Sequence, residues 1–298
     1  MGCRVTLIGM AAALPYNMGG YTMSGLVFAA IAPHGHLAIP EALSETEQGL
    51  GTATQHAMAE LGRRFDDARP DVSIIMTPHN VHVEGSMAIV MAGNLTGSLS
   101  EWTQEPIALK AKTDRELGRA ALDAINGAGV PAVGISYGGN DQAGATAIID
   151  WGVLIPLWYM GGRAEPPVPT VILSPARDRS LQDHVTAGRA LAAAAAASGK
   201  RVALIASCDH GHGHQENGPY SFRPASAQYD NQVVDILKRD KLGELLALDP
   251  AFVSQAAADS FWQMLLLHGA LGDGWRGEFL SYEVPTYFGM MCAAYAPK

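Results

Sequence analysis

The stretch Val202-Ala203-Leu204-Ile205-Ala206-Ser207-Cys208-Asp209-His210-Gly211-His212-Gly213-His214 sets the reading of this chain. Its first five residues form a continuous apolar run of strand length, the pattern of a strand buried on both faces of a parallel sheet. The rest turns at once to small, acidic and imidazole side chains. The same transition occurs twice upstream: residues 26–31 lead into Pro33-His34-Gly35-His36, and residues 72–76 into Pro78-His79-Asn80-Val81-His82. Seven of the ten histidines fall in these clusters, which concentrates the imidazole chemistry at strand ends. In an open α/β sheet, loops converge and ligands bind at the carboxyl ends of strands, and imidazoles there suit a metal or proton-transfer site. The competing reading is three unrelated loops whose histidines cap helices or bond to backbone.

Between the strands the periodicity is helical. Residues 45–68 place Ala53, Ala57, Met58, Leu61 and Phe65 on one stripe, with Arg63, Arg64, Asp66 and Asp67 outside it. A second helix spans 113–127, capped by Thr113 or Asp114, with Leu117, Ala121, Leu122 and Ile125 inward. A third covers 181–198, including the alanine run 192–197, and ends at Gly199. Strands are expected at 130–136 and 168–173. Residues 145–157, interrupted by Asp150, Gly152 and Pro156, read as a turn and short helix. Helices are expected at 227–239 and 254–268, followed by a mixed tail. With no internal repeat and no long Pro/Ser-rich linker, these elements predict one α/β domain of three layers, with a central largely parallel or mixed sheet and helices on both faces.

Composition narrows the function classes. The 298 residues are 48% hydrophobic, enough for a substantial core, and carry a formal charge of -9. No basic stripe is present, which argues against a nucleic-acid partner. Cys3, Cys208 and Cys292 are widely spaced, so neither a disulfide framework nor a thiolate zinc site is expected, and a reducing cytoplasm fits. Residues 1–22 contain an apolar stretch behind Arg4 that imitates a signal peptide weakly and is too short to span a bilayer. Gly2 opens a loose N-myristoylation pattern. The expectation is an N-terminal extension outside the fold, with translation starting at Met23, a domain over 23–298 and no membrane association.

On these residues the chain resembles the class III extradiol ring-cleavage dioxygenases, the superfamily of the protocatechuate 4,5-dioxygenase beta chain, which is the catalytic one. The resemblance covers residues 23–298 and rests on Ala32-Pro33-His34, Ile75-Met76-Thr77-Pro78-His79, Asp150-Trp151-Gly152 with Pro156-Leu157, and 206–212, in that order. It implies a mononuclear non-haem Fe(II) centre, with Zn or Mn as alternative metals, ligated by His34, His79 and a carboxylate. It also implies an acid/base histidine, His212 by strand register or His214 if one loop insertion is allowed. His36, His82, Trp151 and Asp209 are the expected substrate-contacting residues. Independently of any family, two imidazoles and a carboxylate on one face of Fe(II) leave room for a catecholate and dioxygen together.

Two positions depart from the family pattern. Trp151 stands where relatives carry a histidine, and indole neither accepts a proton nor binds metal. The register of the relatives' glutamate ligand falls on Ser260, beside Asp259. Asp259 serves if the helix shifts by one position, with Glu216 and Glu84 as fallbacks. The expected function is Fe(II)-dependent opening of a catecholic or aminophenolic ring by O2, in a homo-oligomer with or without a small partner subunit. The alternatives are a non-oxygenase metal-binding relative of the same fold and a zinc-dependent hydrolase.

Overall fold

The computed structural model describes residues 25–298 apart from 101–102, 104–106 and 139. The expectations about residues 1–22 and a start at Met23 lie outside the described residues. The strands are β1 (Gly25–Ala32), β2 (Val72–Met76), β3 (Met87–Val90), β4 (Asn94–Ser98), β5 (Ala108–Lys112), β6 (Ala132–Ile135), β7 (Thr146–Ile148), β8 (Thr170–Ser174), β9 (Arg201–Ser207), β10 (Trp275–Glu283) and β11 (Met290–Pro297). The α-helices are α1 (Thr52–Ala68), α2 (Arg115–Gly127), α3 (Trp151–Tyr159), α4 (Leu181–Ala197), α5 (Pro224–Lys238), α6 (Pro250–Gln255) and α7 (Phe261–Leu271).

A mixed eight-stranded sheet in the order β10-β11-β1-β9-β2-β8-β3-β6 forms the centre, and β5-β4-β7 make a smaller second sheet. The strands β1, β9, β2 and β8 run parallel, while β11 pairs with β1, and β3 with β8, antiparallel. Alternation along the strands divides the core in two. Ile74, Leu173 and Leu204 pack on the side of α2, α4, α5, α6 and α7. Ile75, Ile172 and Ile205 pack on the side of α1, α3 and the small sheet. Apolar runs in these strands are continuous because both faces are covered, and each fully buried aliphatic side chain contributes about 1.5–3 kcal/mol.

The structure corrects several expectations. Residues 45–47 form only a 3-10 turn, because Gly49 and Gly51 adopt φ of 85° and 72°, and α1 starts at Thr52. The segment 145–157 contributes β7 before α3. The helix expected over 254–268 is interrupted: α6 ends at Gln255 and α7 begins at Phe261. The mixed tail is the antiparallel pair β10–β11. The strands β3, β4 and β5 escaped the sequence reading; β4 and β5 are only partly buried and carry Thr, Ser and Lys, so they lack the continuous apolar run that marks a doubly covered strand.

Candidate metal centre

Because β1, β9 and β2 are neighbours in that order, the residues following Ala32, Ser207 and Met76 emerge side by side. The first two histidine clusters are thus brought together by a strand that lies between them in space and far from them in sequence. His34 is 1% exposed. Its Nδ1 lies 2.9 Å from Ser207 Oγ, and that hydroxyl donates to the Gly152 carbonyl at 2.5 Å. With its proton so used, Ser207 accepts from Nδ1–H, and a neutral His34 then carries its lone pair on Nε2.

That Nε2 is 3.5 Å from Asp259 Oδ2, and the His79 Nε2 is 3.6 Å from the same oxygen. The two imidazole rings stand perpendicular with centroids 4.9 Å apart. His34, His79 and Asp259 each offer one ligand atom, all within 4.8 Å of one another. Asp259 is free to reach them because it sits in the break between α6 and α7. Its Oδ1 accepts the Asp209 N–H at 3.2 Å, which leaves Oδ2 toward the histidines. The buried Gln263 amide holds the break, donating to the carbonyls of Ser207 and Asp259. Ser260, the position given by register, turns away: its Oγ meets Tyr229 Oη at 3.0 Å and His210 Nδ1 at 3.1 Å.

The electrostatics of the cluster suit a bound cation. Asp209 and Asp259 are both buried, and among the described residues their ion-pair partners are His34 and His79 alone. Burial works against an imidazolium at His34, but Asp209, Asp259 and Asp150 outweigh it and lift its pKa to about 9. Burial likewise opposes the Asp259 carboxylate, yet His34, His79 and His212 hold it below the usual carboxylate range. Two buried carboxylates compensated only by imidazoles are better satisfied by a divalent ion, which needs neutral imidazoles as ligands. The donor set therefore fits a metal with nitrogen and oxygen preference.

A cavity of about 740 Å³ opens over this cluster, lined by the three residues together with His36, Asp209, Trp151, His212, Tyr220, Tyr287 and Phe288, among others. His212 Nδ1 meets the Ala257 carbonyl at 2.8 Å, so the neutral ring donates there and keeps Nε2 as an acceptor. Its ring stacks on Phe288 with centroids 5.6 Å apart. Trp151 lies against His79, centroids 4.7 Å apart. His36 Nε2 bonds to Glu47 Oε1 at 2.9 Å. His214 is placed otherwise, its Nε2 bonding at 2.9 Å to the fully buried Asp230. His82, His214, Glu84 and Glu216 are not among the lining residues. The sequence reading missed Ser207, Glu47 and the aromatic wall. Only Glu47 had a signal, the Ser44-x-x-Glu47 capping box, and it pointed to local structure.

Residues 28–292 match the family model described as "Catalytic LigB subunit of aromatic ring-opening dioxygenase". The chain belongs to that family. The resemblance inferred from the strand-end motifs is therefore correct at the level of family and fold. A curated relative, the Clostridium acetobutylicum protein CA_C1420, is 23% identical over 255 residues, covering 85% of this chain and 54% of its own length. The chain thus spans about half the length of that relative. Among solved structures, the crystal structure of the uncharacterized protein JW3007 from Escherichia coli K12 superposes with a TM-score of 0.57 at 17% identity, covering 90% of this chain and 99% of that one. This last likeness concerns the fold alone. Family members of this kind are typically metal-dependent, in keeping with the His34, His79 and Asp259 cluster. Among the described residues, no helix is long and apolar enough to cross a membrane.

Proposed function

We propose that this chain is a non-haem Fe(II) dioxygenase that opens a catecholic or aminophenolic ring, with His34, His79 and Asp259 as the metal ligands. The reading is carried by one observation: these three donors converge at the floor of a cavity whose wall holds His212 with an available Nε2. Bound there, Fe(II) supplies a Lewis acid that favours the ionised catechol and electrons to activate O2. The protein's own part is positional. Trp151, Tyr287 and Phe288 provide flat apolar surfaces against which an aromatic ring stacks. His212 Nε2 takes the proton of a substrate hydroxyl and returns it as the ring opens, a role for which imidazole is suited near neutral pH. Asp209 fixes the His34 backbone, its Oδ1 accepting that N–H at 2.9 Å. Both oxygen atoms enter the product and a ring C–C bond is broken. The same reading treats residues 23–298 as one catalytic unit.

The test is metal analysis of protein purified without added metal, followed by oxygen uptake on a panel of catechols and aminophenols. Iron with stoichiometric O2 consumption and a ring-opened product is the expected result. Iron-loaded protein that consumes no O2 with any member of the panel would overturn the proposal, and zinc with hydrolytic activity would replace it.

A further inference from the structure

The cavity over the proposed metal centre has an uneven charge inventory. Among its described lining residues Glu47, Asp209 and Asp259 are acidic, and none is Lys or Arg. Asp209 and Asp259 are engaged with His34 and His79, which leaves Glu47 as the acidic group away from the metal cluster. Glu47 is firmly held. Its Oε2 accepts from Ser44 N–H at 2.9 Å and Ser44 Oγ–H at 2.7 Å, and its Oε1 from His36 at 2.9 Å. A carboxylate has about four acceptor positions, so one remains on Oε1 and no donor is offered. Burial favours its neutral acid, but the Ser44 hydrogen bonds and then His36 prevail and lower its pKa to about 2. On another part of the lining, Tyr220 and Tyr287 stack with centroids 6.2 Å apart, and aromatic faces attract cations. Gln215 and Asn217 add neutral amides, which bond to either sign of charge.

Resting on the ring-opening reading, we infer that this cavity selects catechols whose side chain is neutral or ends in an ammonium, and discriminates against catechols bearing a carboxylate, with Glu47 reading the charge. Away from the metal cluster, a substrate carboxylate would meet no Lys or Arg among the described lining residues, whereas an ammonium finds the remaining Glu47 acceptor. Desolvating an unpaired charge is the dominant cost in such a choice, larger than any difference in stacking.

Binding of three probes of similar size to the metal-loaded protein under anaerobic conditions tests this: dopamine, 4-ethylcatechol and 3-(3,4-dihydroxyphenyl)propionate, followed by tryptophan fluorescence or calorimetry. The expected order is dopamine tightest and the propionate weakest, separated by roughly 10-fold or more. The order should persist at 1 M salt, where the Debye length of about 3 Å removes the far field of the negative chain. Glu47→Gln should bring the dopamine to ethylcatechol ratio toward one. Ser44→Ala, which removes one hydroxyl donor but keeps the charge, should preserve the order. Equal affinities, tightest binding of the propionate, or a ratio unchanged in Glu47→Gln would overturn the inference. Failure of all three probes to bind overturns it together with the ring-opening reading. The expected binding order without O2 uptake overturns that reading alone.

Discussion

Two residues apart in sequence, His212 and His214 differ in what their ring nitrogens meet. His212 gives Nδ1–H to a backbone carbonyl and keeps Nε2 as an acceptor, with its ring on the cavity wall. His214 spends Nε2 on Asp230, which also accepts from the Gly211 N–H at 2.7 Å and from Tyr282 Oη–H at 2.9 Å. Loss of the first should cost chemistry and loss of the second should cost stability. His212→Phe is expected to retain iron and bind catechol while turning over roughly 10²–10⁴-fold slower. His214→Phe removes one donor from a buried carboxylate, with an expected loss of about 1–3 kcal/mol in denaturant unfolding and a milder effect on turnover. A larger turnover defect in His214→Phe at equal iron content would transfer the acid/base role to His214.

At the scale of elements, the start of α3 and the break before α7 hold the ligands in place. Gly152 lies in the first turn of α3, where a Cβ would stand 2.6 Å from Thr77 Oγ1 and 3.0 Å from His79 Cδ2. Thr77 Oγ1 accepts the His79 N–H at 3.2 Å, so both atoms belong to the support of one proposed ligand. Gly152→Ala is therefore expected to displace His79 and weaken metal retention, and to cost roughly 1–3 kcal/mol of stability through overpacking. Unchanged iron affinity by chelator competition would show that the α3 turn yields instead. The break 256–260 serves several partners at once. The Ala256 carbonyl accepts from His212 N–H and Ser226 Oγ–H, the Ala257 carbonyl from His212 Nδ1–H, and Asp259 reaches His34 and His79. Ala257 adopts φ of 50°, a conformation disfavoured for a residue with a Cβ. One irregular segment thus couples the proposed base to the proposed carboxylate ligand.

For the whole molecule, the proposed ligands come from the end of β1, the end of β2 and the segment before α7, so a bound ion ties together parts of the chain far apart in sequence. An ion that binds the folded state alone stabilises it by about 2.7 kcal/mol at 100 times its dissociation constant. Chelation should therefore lower the melting temperature, and Fe(II) should restore it. Asp259→Ala should abolish this metal-dependent rise, whereas Glu216→Ala and Glu84→Ala, at exposed positions outside the cavity lining, should retain it. A metal-dependent rise that survives Asp259→Ala would exclude this carboxylate as a ligand.

The amino-acid sequence alone determined the α/β class, the strands β1, β2, β6, β8 and β9, and the placing of histidines at strand ends, because apolar runs and turn chemistry are local signals. Family resemblance followed from the order of those motifs. What the sequence left open depended on long-range pairing. Insertion of β9 between β1 and β2 is a topological fact that no local pattern encodes, yet it is what brings His34 and His79 together. Periodicity carried one helix through 254–268, since apolar residues continue across the break. Only the tertiary hydrogen bonds drawn to Gln263, Ser260 and the Ala256 and Ala257 carbonyls interrupt it and turn Asp259, rather than Ser260, toward the histidines. Strand register put His212 ahead of His214, but both follow the same strand and one loop insertion would exchange them. The tertiary structure separates them by giving one a carbonyl and the other a buried carboxylate.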